Sequence, residues 1–148
     1  MKRNLFVAEL SSALLILLFG YTAISKAIRA GRFRQALAES PVTHNGADII
    51  AWLVILAEAM IVLLLLFPRT RRAGLYASLG LLIVFTGYIW YMITFVNHLP
   101  CSCGGVISEL SWQQHLIFNS LFLVINGIAI WYWGKVYPKR EIHFYESV

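Results

Sequence analysis

Ala47-Asp-Ile-Ile-Ala-Trp-Leu-Val-Ile-Leu-Ala-Glu58-Ala-Met-Ile-Val-Leu-Leu-Leu-Leu-Phe67 decides the fold class. A bilayer core takes about 20 residues of apolar helix to cross, and this run is about that long. One charge, Glu58, falls deep inside it. An ionised carboxylate at that depth is expensive, so it implies a partner or a function. Two readings stand side by side: a neutral carboxyl bonded to a neighbouring helix, and a proton relay. Lys26 is a candidate partner, although the spacing sets it nearer the membrane surface.

Working outward, three further apolar runs flank this one. Spanning helices are expected over about residues 5–28, 47–67, 74–96 and 111–133. The chain of 148 residues is 59% hydrophobic and 13% charged, with a mean hydropathy of +0.72. A soluble domain carries about twice that charged fraction. The expected class is therefore all-α: a polytopic membrane protein, a bundle of four transmembrane helices forming a single domain over residues 1–148. The net charge of +5 is no nucleic-acid signal, because the basic residues flank apolar runs, where they encode topology. No phosphate loop, Ser-His-Asp order or zinc-protease helix occurs.

Met1-Lys2-Arg3 followed by an apolar run resembles a secretory signal. Its length, and the Lys26, Arg29, Arg32 and Arg34 that follow it, favour a retained helix. Glu9, Ala13, Ile16, Gly20, Ala23 and Ala27 share one face, a small-residue stripe expected to pack closely. Residues 29–46 are polar. Ile28, Phe33 and Leu37 among cations suggest a short amphipathic surface helix in the first external loop, stopped by Ser40-Pro41, with a solvated linker as the alternative. In the third run Gly80, Gly87 and Thr94 recur at heptad spacing and are read as a packing seam. Tyr88, Trp90 and Tyr91, and later Trp131, Tyr132 and Trp133, are read as interfacial belts.

Charge sets the expected orientation. Lys2, Arg3, Arg69, Arg71, Arg72, Lys135, Lys139 and Arg140 fall on one side, and four basic residues on the other. No Lys or Arg occurs between Arg72 and Lys135. Both termini are thus expected in the cytoplasm of a cell (inner) membrane, with the connection before the fourth helix outside.

That connection contains the only two cysteines, in Cys101-Ser102-Cys103-Gly104-Gly105. Thiols one residue apart close a small ring, and strained or exposed disulfides exchange readily. An oxidising side is where a disulfide persists. A static disulfide, two idle thiols and half a metal site are the other readings. His98, Cys101, Cys103 and His115 have the inventory of a zinc or copper site, but one intervening residue makes a tight chelate and no metal is assigned. On the fourth helix Trp112, His115, Asn119, Phe122 and Asn126 share a face. Asn119 and Asn126 need partners inside the bundle. His115, about one turn into the helix, is suited to moving a proton or stabilising a thiolate, and Ser111 or Ser108 to capping the helix start.

Several of these features together resemble a known family. Gly-Tyr-Thr-Ala-Ile-Ser-Lys26 ends the first helix, Glu58 lies in the second, and Pro100-Cys-Ser-Cys-Gly-Gly105 precedes Ser-Trp-Gln-Gln-His-Leu-Ile-Phe-Asn119. The pattern is similar to the MauE branch of the DoxX-like membrane proteins, from about Leu5 to Trp133. The loop departs from the Cys-Gly-Cys-Phe-Gly expected in many relatives, and both cysteines remain. The resemblance implies a redox-associated membrane protein of methylamine utilisation that helps form disulfides in an exported dehydrogenase subunit. On that reading Cys101 and Cys103 carry thiol–disulfide exchange with an exported or thioredoxin-like partner, as a thiol–disulfide oxidoreductase. Four-helix disulfide generators relay electrons through two cysteine pairs. With one pair, this chain must exchange electrons with a second protein or with a quinone near His115 and Trp112, and otherwise no cofactor is expected. A non-catalytic assembly or scaffold subunit is the alternative function.

Overall fold

The computed structural model describes residues 2–96 and 111–136. His98, Cys101, Cys103, Ser108 and the basic tail lie outside the described residues. The helices form where the apolar runs are. In order they are α1 (Lys2–Ile28), α2 (Ala30–Glu39), a 3-10 turn (His44–Gly46), α3 (Ala47–Leu66), α4 (Arg71–Phe95) and α5 (Trp112–Val136). α1, α3, α4 and α5 are long and apolar enough to cross a membrane. They close a ring in which α1 touches α3 and α5, and α4 touches the same two. Leu17, Leu56, Val84 and Ile117 point outward from the four helices and are largely exposed. A water-facing surface would not carry such apolar side chains on every helix, whereas lipid accepts them.

α2 is the amphipathic segment. Its Ala36 and Leu37 are buried, and Leu37 packs with Ala47 and Ala51 of α3. The exposed edge carries an ion pair between Arg34 and Asp48 at 3.1 Å, a weak surface contact. The helix stops at Ser40 because Pro41 cannot continue it, and the Leu37 carbonyl accepts from Ser40 N at 3.3 Å and from the Thr43 hydroxyl at 2.6 Å.

The α3–α4 turn is closed in the same way. Thr70 Oγ1 donates to the Leu64 carbonyl at 3.0 Å and Arg71 Nε to the Leu65 carbonyl at 2.9 Å. Arg71 also holds both Glu9 oxygens at 2.7 Å and lies 5.1 Å from the centre of the Trp133 ring. These contacts explain why α4 begins at Arg71 rather than at Gly74. At Gly74 the backbones come together, and a Cβ there would stand 3.0 Å from both Leu65 N and Leu65 Cδ2. Leu15, Phe19, Ile61, Leu65, Leu75, Leu82, Ala129 and Trp133 form the main core.

Three sequence expectations are corrected. The packed face of α1 is Ala8, Ser12, Leu15, Phe19, Ala23 and Lys26, with Ile16 at its edge, while Glu9, Ala13 and Ala27 of the expected stripe are exposed. Small and large side chains share this interface, so the stripe is half right: Ile16 and Ala23 pack, and Leu15 and Phe19 replace its other members. Gly80 and Gly87 are exposed, with no atom within 4 Å of where a Cβ would stand, and Thr94 is exposed too, so they make no seam within the chain. Trp133 belongs to the core rather than to an interfacial belt, because Arg71 and the core side chains cover it.

Candidate functional site

Lys26 ends the packed face of α1 and is buried, as is Glu58 on α3. Lys26 Nζ donates to Glu58 Oε1, which draws the lysine inward from the membrane surface. Its ammonium lies 5.4 Å from the centre of the Phe33 ring on α2 and 4.9 Å from that of Phe85 on α4. The electron-rich ring faces offset part of the cost of desolvating the cation. Four elements therefore meet at one charge. Glu58 Oε2 is buried and has no hydrogen-bond partner.

This pair lines a cavity of about 250 Å³ in the half of the bundle from which the 97–110 connection leaves. α1 supplies Thr22 and Lys26, α3 Val54 and Glu58, and α4 Phe85 and Tyr88; α5 supplies Trp112, His115 and Asn119. Most of the wall is apolar or aromatic.

α5 presents its polar residues here because of how it starts. Ser111 Oγ accepts from Gln114 N at 3.3 Å, and Gln114 Oε1 accepts from Ser111 N at 2.9 Å, a reciprocal capping box. The helix phase this sets turns Trp112, His115 and Asn119 toward the cavity. Asn126, on the same face and two turns deeper, is elsewhere. It is buried against Ser78 of α4, with the amide and the Ser78 Oγ 2.7 Å apart. Turned about its amide, its oxygen accepts from Ser78 Oγ and from Leu79 N at 2.9 Å, and its nitrogen donates to the Leu75 carbonyl at 3.2 Å. Asn126 is thus a helix-to-helix tie, whereas His115 and Asn119 are part of the cavity lining.

Of the residues singled out in the sequence, the structure brings Glu58, His115 and Asn119 around one cavity and leaves Asn126 out of it. Cys101 and Cys103 lie outside the described residues. Among the described residues no three His, Cys, Asp or Glu side chains gather as a metal site. The reading of the sequence missed the aromatic contribution of Phe33, Phe85 and Tyr88. Tyr88 is one helical turn from Phe85, a signal indistinguishable from ordinary lipid-facing aromatics without the fold. Ser78, a small hydroxyl inside the third span, is the residue that makes the polar tie.

Comparison with known proteins gives one family. The family model described as Methylamine utilisation protein MauE matches residues 4–132. No curated protein and no solved structure matches the chain.

Proposed function

The chain belongs to the MauE family, and from that footing we propose that it is a redox protein of the cell (inner) membrane that exchanges disulfides with an exported or thioredoxin-like partner through Cys101 and Cys103. The observation that carries this reading is the placement of the chain's only cysteines in the connection between α4 and α5, which joins the helix ends nearest the Lys26–Glu58 cavity. The family's name gives methylamine utilisation as the metabolic setting.

Charge supports an external loop. Glu58 takes Lys26 into the bundle, so three basic residues, Arg29, Arg32 and Arg34, remain in the connections at the cysteine end. Eight stand at the other end, Lys2, Arg3, Arg69, Arg71, Arg72, Lys135, Lys139 and Arg140. The positive-inside asymmetry supports a cytoplasmic location for that end and an oxidising side for the cysteines.

The exchange balances without a further reagent. A partner thiolate attacks the Cys101–Cys103 disulfide, forming a mixed disulfide and releasing one cysteine as a thiolate. A second partner thiolate then attacks the mixed bond. The partner leaves as a disulfide, oxidised by two electrons, and Cys101 and Cys103 are left as thiols. The reverse direction reduces the partner. His115, one turn into α5, is the group suited to taking or returning the thiol proton, and the free N–H groups of the helix start favour a thiolate.

Trapping tests the reading. Cys101→Ser and Cys103→Ser each remove one thiol, and the variant that keeps the attacking cysteine accumulates a partner adduct that disappears with reductant. The other variant gives little adduct, and the double variant none, while all three insert normally. If neither single variant traps a partner, and all three support growth that requires the protein, it is an assembly subunit rather than a redox catalyst.

A further inference from the structure

We propose that the cavity beside Lys26 and Glu58 is a binding site for one flat, uncharged, lipophilic ring carrying a hydroxyl, a molecule of the phenol or hydroquinone class. Trp112 and His115, near which the sequence allows a quinone, line this cavity, but the inference starts from the buried acid and needs no thiol chemistry. Glu58 lines the cavity, is 1% exposed, and its Oε2 has no hydrogen-bond partner. Thr22, a hydroxyl on the same lining, gives its proton to the Phe19 carbonyl at 3.1 Å instead. Leaving a buried carboxylate oxygen unsatisfied is unfavourable, so a donor is missing from the described surroundings.

The chemistry of the site selects that donor. Lys26 already balances the carboxylate, so an added cation would bring an uncompensated charge into an apolar space. A neutral O–H fits: it donates to Glu58 Oε2, and its oxygen can accept from an ammonium that has three donors. Size and walls select the remainder. An apolar cavity of about 150 Å³ holds a benzene ring, and this one is about 250 Å³, room for a ring with short substituents. Water alone would fill the volume with several molecules, most of them facing Phe85, Phe118 or Leu37 without a polar partner. Val84 is on the lining and also exposed on the outer side of α4, so the space reaches the surface that lipid covers. A lipophilic ligand can enter there.

The test uses the full-length protein purified in detergent and four probes: 4-propylphenol, 4-propylanisole, 1-hexanol and 4-propylbenzylamine. Thermal unfolding is followed as each is titrated. 4-Propylphenol is expected to raise the melting temperature saturably, with an apparent affinity at least fivefold above that of each other probe. Val54→Trp, which fills the cavity from α3, is expected to abolish the shift; should it fail to fold, Val54→Phe replaces it. Equal effects of the phenol and its methyl ether would overturn the role of Glu58 as acceptor. Equal effects of hexanol would overturn the ring, and tighter binding of the amine would overturn the neutral donor. No saturable shift with any probe, or a shift unchanged in the filled variant, would leave a solvent pocket and sink the proposal.

Discussion

Replacing Lys26 with Met and Glu58 with Leu, singly and together, tests what holds the hollow half of the bundle together. Both side chains are buried, at 7% and 1% exposure, and Lys26 meets the carboxylate through Oε1 only. Removing one partner of a buried pair costs about 3–5 kcal/mol in soluble proteins, because the other charge is left uncompensated. In a membrane the unfolded helices also find polar partners, which reduces interhelical hydrogen bonds to about 0.6–1.7 kcal/mol. Each single variant should therefore lose about 2–4 kcal/mol of stability. The double variant leaves no orphaned charge and keeps comparable volume, so it should lie within about 1 kcal/mol of the wild type. Equilibrium unfolding in mixed micelles measures all four corners of the cycle. Glu58→Gln keeps an acceptor for Lys26 and should lose less than Glu58→Leu. If the two single losses simply add, to within about 0.5 kcal/mol, the two residues are not coupled and the pair does not hold α1 to α3.

Two further outcomes follow from the geometry. Gly74→Ala should destabilise by about 1–3 kcal/mol in the same unfolding assay, because its Cβ would meet the Leu65 backbone nitrogen, which cannot turn aside; Gly80→Ala, with open space around it, should be neutral or stabilise by up to about 1 kcal/mol. A membrane-impermeant thiol reagent should label Cys101 and Cys103 in intact cells after mild reduction, and labelling only from the cytoplasmic side would reverse the proposed orientation.

The spans were legible because bilayer thickness imposes one length on every run, so α3 is found at Ala47–Leu66 against an expected 47–67. Which face of α1 packs was not legible. In lipid, both faces of a helix are apolar, and the amphipathic period that reveals a core in water disappears. Small residues at helical spacing were the remaining cue; Ala23 of that stripe packs, but Leu15 and Phe19 form the centre of the face. Polar residues kept their signal for the opposite reason. Lipid gives Glu58, His115, Asn119 and Asn126 nowhere to face but inward, so their shared interior location followed from the sequence. Their division into a tie and a cavity wall did not, because it depends on what α4 presents: Ser78 opposite Asn126, and aromatic rings nearer the cysteine end.

That division links architecture to function. The main core, the Asn126–Ser78 tie, the close contact at Gly74 and the Arg71 cluster with Glu9 and Trp133 gather toward the end where α1 begins and α5 finishes. Helices fastened there do not need to close at the other end. Toward that end lies the cavity of about 250 Å³, with one charged pair on its lining and walls of side chains from five helices. A membrane bundle gains nothing from hydrophobic exclusion of water between helices, so a void is disfavoured by lost van der Waals contact. Keeping one open requires tighter packing elsewhere, and the placement of the ties meets that requirement. An acid with one unsatisfied oxygen, held in the more open half of the bundle, fits a site selected for occupancy rather than for stability.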